Sequence, residues 1–150
     1  MTLDRALGRF FGEVAQHQRS SETTFYQSAK LEGGLGAGTL LSNLTDDELA
    51  GYISRRRGEV AESSVNRKTQ LLKRVFYRAG TVWNADIGDM PNWREHILRE
   101  PAGRVRELTD DEEGRLFDAL RADFHPLVAF ALVSGVRLAN ARTLTWAKVN

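Results

Sequence analysis

Apolar residues recur along this chain at helical intervals, and no segment alternates long enough between turn residues to suggest a strand. Leu3, Leu7, Phe10, Phe11 and Val14 fall three and four apart, marking one face of a first helix over 3–18. Ser20 and Ser21 can cap a second helix over about 22–32, which carries Phe25 and Tyr26. The stretch "EGGLGAGTLLSN" then reads as a glycine-rich connector. No apolar strand leads into it, and its glycine spacing does not fit a dinucleotide-binding turn. "LTDDELAGYISRR" (44–56) opens a third helix, with Thr45 and Glu48 as a capping box and Leu44 stapled onto Leu49. A fourth helix over about 64–83, capped by Ser63 or Ser64, sets Leu72, Val75, Phe76, Ala79 and Trp83 on one face. At ~100° per residue, Arg67, Arg74 and Arg78 fall within about 40° of one another on a different face.

Residues 84–107 show no period and hold two of the three prolines, Pro91 and Pro101. They read as a domain boundary, with a basic linker over 99–107 that carries Arg99, Arg104 and Arg106. "LTDDE" returns at 108–112, where Thr109 and Glu112 can cap a helix over 109–122. Pro126 opens the next helix, Gly135 stops it, and a short helix follows over 138–147. The chain is therefore expected to be all-α, in units 1–98 and 108–150 joined by 99–107.

Composition narrows the chemistry. The 150 residues contain no cysteine, which excludes disulfides, thiolate metal sites and a cysteine nucleophile. The longest apolar run, around 126–136, is too short to span a bilayer, and the amphipathic, acid-bearing N-terminus does not read as a signal peptide. A cytoplasmic protein without metal or cofactor is expected. Net charge is only +1, yet Arg55, Arg56, Arg57, Arg67, Lys68, Lys73, Arg74 and Arg78 crowd residues 51–80 against Glu59 and Glu62. Such a cluster is either a solvated helix surface or the footprint of an anionic partner. Three guanidiniums on one helical stripe favour the partner, because the planar fork of arginine matches a phosphate with two parallel hydrogen bonds.

The order of these features resembles the tyrosine recombinases of the phage-integrase family. Four helices with a basic last member precede an arginine-bearing linker, then "RVRELTDDEEGRLFDAL", then "PLVAFALVSGVRLANARTLTWAKVN". In that family a core-binding domain precedes a catalytic domain that opens with a leucine-threonine-acid-glutamate helix start. A threonine/serine-glycine-x-arginine box and an apolar helix ending in leucine-x-tryptophan come later. Here the box is "SGVR" at 134–137 and the ending is "LTW" at 144–146, so the resemblance runs over essentially the whole chain. It implies a four-helix SAM-like core-binding domain followed by the first helices of a catalytic domain. It also implies double-stranded DNA as the partner and a parent protein that oligomerises on DNA during integration or recombination. Arg137 would hold the scissile phosphate, with Gly135 in a left-handed conformation turning the chain toward it. Asn140 stands where family members commonly carry an acid.

The resemblance also implies a tyrosine nucleophile near the C-terminus, whereas Tyr26, Tyr52 and Tyr77 all precede Arg137. The expectation is a chain that binds DNA but does not cleave it alone. Two other readings of the same helices are a non-catalytic DNA-binding protein and a protein-interaction module whose basic face meets an acidic partner. Finally, nine of the twelve residues 127–138 are apolar, from which self-association through that segment is expected, with Leu144 and Trp146 included.

Overall fold

A computed structural model describes residues 1–103, 106–145 and 147. Among these, seven α-helices and three short 3₁₀ turns carry the fold, and no strand forms. The helices are α1 (Leu3–Glu13), α2 (Ser21–Leu35), α3 (Asp46–Arg57), α4 (Glu62–Thr81), α5 (Asp110–Ala119), α6 (His125–Ser134) and α7 (Leu138–Arg142). None of them is long and apolar enough to cross a membrane. The chain divides into two compact units, Met1–Ala102 and Gly103–Asn150.

In the first unit α4 is the central helix, packed against α1, α2 and α3. It buries Val65, Leu72, Val75, Phe76 and Ala79, spaced as a 3.6-residue period requires. Leu3, Ala6, Leu7 and Phe10 of α1 meet this core, with Leu49, Tyr52 and Ile53 of α3. The inner face of α2 is more polar. Thr24 and Ser28 are buried, and each hydroxyl donates to the carbonyl one turn back, Ser20 O at 3.1 Å and Thr24 O at 3.0 Å. Phe25 and Tyr26 face outward.

The helix boundaries depart from the sequence expectation in instructive ways. Helix α2 continues through Glu32, Gly33 and Gly34 to Leu35, so the glycine-rich connector begins only at Gly36. That connector caps α1: the Leu3 and Asp4 N–H groups donate to Thr39 O (2.8 Å) and Ala37 O (3.0 Å). Two orphan donors of the first turn are thus satisfied by backbone, and Thr2 supplies no side-chain cap. Helix α4 starts at Glu62 behind Ala61, so neither Ser63 nor Ser64 is its cap. At α3 only half of a capping box forms, with Thr45 Oγ1 accepting from Glu48 N at 3.5 Å. At α5 the box is complete.

Residues 82–102 lack helical structure but are not loosely held. Trp93 is buried, with its ring edge-on to Phe76 at 5.2 Å. His96 Nε2 lies 2.6 Å from Asp46 Oδ1, which also accepts from Asn92 N at 2.9 Å. Asn66, buried on α4, clasps the Leu98 backbone from both sides: its Nδ2 donates to Leu98 O (2.9 Å) and its Oδ1 accepts from Leu98 N (2.8 Å). The same amide donates to Glu100 Oε1 at 2.7 Å, so residues 99–102 belong to the first unit.

In the second unit Pro126 occupies the first turn of α6, and Gly135 ends the helix at φ 63°, ψ 14°, the left-handed stop that favours glycine. Helix α7 ends at Arg142, short of the expected 147, where Thr143 Oγ1 turns back to Ala139 O at 3.0 Å. Trp146 and the stretch from Lys148 onward lie outside the described residues. No residue described beyond His96 is buried, and Val133 on α6 is 92% exposed.

Candidate nucleic-acid interface

Buried Val75, Phe76 and Ala79 fix the rotation of α4, which turns its basic stripe outward. Arg67 and Arg74 are exposed, and Arg78 is half-buried. Arg74 lies with its guanidinium carbon 5.1 Å from the centre of the Phe10 ring, and Lys73 Nζ lies 5.9 Å from that of Tyr77. These four residues, with Val14 and Arg78, line an open groove of about 410 Å³ between α1 and α4. Of its two rings Phe10 is buried and Tyr77 is exposed, and Lys73 and Arg74 form a cationic rim that suits a polyanion.

Arg78 is not a free cation. Its Nε and Nη2 donate to Glu13 Oε2 at 3.1 and 3.0 Å, and Trp83 Nε1 reaches the same oxygen at 2.9 Å. Arg9 Nε takes the other oxygen at 2.7 Å, and its guanidinium stacks 4.8 Å from the Trp83 ring centre. The hydrogen bond from Arg9, then those from Trp83 and Arg78, hold the Glu13 carboxyl down at about 2, against an ordinary 4.5. The stripe expected from sequence therefore presents two open guanidiniums and one braced by α1.

A second group of basic residues gathers where α3 ends. Arg57 is exposed, Arg55 Nη2 donates to Gly34 O at 3.3 Å, and half-buried Arg56 is ion-paired with Glu59. Lys68 donates to Ser64 O at 3.0 Å. Burial lowers its amine pKa, with Arg56, Lys30 and Arg67 adding repulsion. Lys30, on α2, thus joins a cluster the sequence did not single out, because only the packing of α2 on α3 and α4 brings it there.

In the linker, Arg104 lies outside the described residues. Arg106 forms an ion pair with Glu112, bracing the start of α5 rather than standing free. Arg137 is exposed and is the residue before α7, with its carbonyl accepting from Asn140 N (2.8 Å) and Ala141 N (3.0 Å). Its backbone is extended, so Gly135 and Arg137 together swing the chain from one helix into the next. Among the described residues, no group of three or more His, Asp or Glu side chains is placed to hold a metal. No family model, curated protein or solved structure matches this chain.

Proposed function

We propose that this chain is the DNA-binding portion of a site-specific tyrosine recombinase. On this reading the first unit is a four-helix core-binding domain of the SAM-like kind, and the second comprises the opening helices of the catalytic domain. The observation that carries the reading is the outer face of α4. There Arg67 and Arg74 stand exposed, Arg74 on the rim of the α1–α4 groove, on a helix whose other face is locked in the core. Double-stranded DNA is the partner, and most contacts from this face are to phosphates, which position the protein without reading sequence. Arg137 is assigned to the scissile phosphate of the parent enzyme, where a guanidinium stabilises charge as it develops on non-bridging oxygens. The left-handed turn at Gly135, a common glycine helix stop, redirects the chain just before Arg137 and is in keeping with that role.

The test is the salt dependence of binding to duplex DNA. With about five phosphates contacted, log K falls with log salt at a slope of −4 to −5, at ~0.9 per phosphate. Changing Arg67 and Arg74 to alanine should flatten that slope by about two units. An unchanged slope in a folded double variant removes this face from the interface.

A further inference from the structure

The cleft between α2 and α3 contains two buried polar atoms that lack a hydrogen-bond partner. Tyr52, on α3, is 2% exposed, and its hydroxyl oxygen has no partner among the described residues. Nor does Nε of Arg56, one turn further along the same helix, although the Arg56 side chain lies close enough to the hydroxyl to favour the ionised form of Tyr52. Native folds keep few such atoms, and each one calls for an explanation. Both side chains line one open cavity of about 450 Å³.

The walls of that cavity are built for close approach. Gly34 sits against the Tyr52 ring, and a Cβ there would overlap the ring's edge. Gly33 beside it has open space at its Cβ position, so α2 presents bare backbone to the cleft. The rim is cationic: Lys30 comes from α2, and Arg55 and Arg56 from α3, with Glu59 the one acid. Glu59 is exposed while its i,i+3 partner Arg56 is half-buried, so a phosphate entering the cleft competes with the Glu59 carboxylate for the Arg56 fork. Burial raises the Tyr52 pKa, against the pull of Arg56, so its hydroxyl remains a proton donor at neutral pH.

We propose that this cleft binds a phosphate group, seated between Lys30, Arg55 and Arg56 with the Tyr52 hydroxyl and Arg56 Nε as its inner donors. Two planar forks, an ammonium and a hydroxyl suit an anion with several oxygens better than a carboxylate with two. The cleft is open to solvent and roomier than one phosphate, so it leaves space for the rest of an ester: a backbone phosphodiester or a free phosphate monoester. The site is separate from the α1–α4 groove and does not rest on the recombinase reading.

The experiment follows the arginine Nε–H signals of the ¹⁵N-labelled chain while inorganic phosphate replaces chloride at constant ionic strength. Saturable shifts are expected at Arg55 and Arg56 and in the Gly33 and Gly34 amides, with Arg74 unmoved. Tyr52→Phe keeps the ring that packs the core and should weaken phosphate binding about three- to tenfold, the loss of one hydrogen bond. Lys30→Gln, at an exposed position, should weaken it as well. Absence of a saturable shift at Arg56, or equal shifts at Arg74, overturns the proposal. A second titration with a short DNA duplex separates the two sources. Displacement of phosphate from Arg56 by the duplex assigns the site to a backbone phosphodiester. If the duplex leaves Arg56 unmoved while glycerol phosphate shifts it, the site takes a free monoester. Failure of DNA binding would leave the phosphate titration intact as a test.

Discussion

Glu13 gathers three donors onto one carboxylate, and this gives the first unit a measurable acid response. Its folded pKa, about 2, lies below the ordinary 4.5, so deprotonation favours the folded state. The stabilisation is complete above 4.5, declines as the pH falls through that value, and is gone below about 2. Glu13→Gln should therefore unfold at lower urea than the parent at neutral pH, and the gap should close as the solution is acidified. A gap independent of pH would remove the carboxylate's charge as its cause. The same variant loosens Arg78, so it should bind duplex DNA more tightly and steepen the salt slope by up to about one unit. The basic stripe was legible in sequence because Arg67, Arg74 and Arg78 share one helix, where spacing alone gives direction. The bracing of Arg78 was not, since Glu13 lies 65 residues away and reaches it only once α1 packs on α4.

At the scale of elements, the strap over 84–102 shows what periodicity cannot report. The helices announced themselves through apolar spacing and through two copies of "LTDDE", both of which start helices. The strap has no period, so its sequence indicates only irregularity. Its anchors are Asp46 on α3 and Asn66 on α4, between 32 and 50 residues distant, and its plug, Trp93, fills a gap beside Phe76. Trp93→Ala should destabilise the first unit by about 3–5 kcal/mol, the usual cost of removing a large buried aromatic side chain. Urea unfolding followed by circular dichroism measures it. A loss below 1 kcal/mol, in the range of an exposed substitution, would mean that the strap is an appendage and not part of the core.

At the scale of the molecule, the two units differ in how they treat apolar surface. The first builds a buried core but leaves Phe25, Tyr26 and Tyr77 exposed, whereas α6 leaves Phe130, Leu132 and Val133 exposed and has none of its residues buried. Exposed apolar patches of this kind mark surfaces that meet a partner. A second copy, joined through residues 127–138 about a twofold axis, is the expected occupant. Light scattering should then show a mass that rises with concentration, and Phe130→Ser with Leu132→Ser should abolish the rise. A monomer at every concentration, in the unsubstituted chain, excludes the second copy. Charge is also sorted within the molecule. Helix α3 carries Asp46, Asp47 and Glu48 in its first turn and Arg55, Arg56 and Arg57 in its last, reinforcing its macrodipole at both ends. Twelve residues at about 1.5 Å each set these ends roughly 18 Å apart, beyond the screening length of physiological salt. An approaching polyanion therefore meets them as separate poles: the acids turn it away while the arginines draw it in. For the duplex DNA proposed as partner, the resulting torque would turn the first unit at close approach, so that a near-neutral protein meets its target with the basic pole leading.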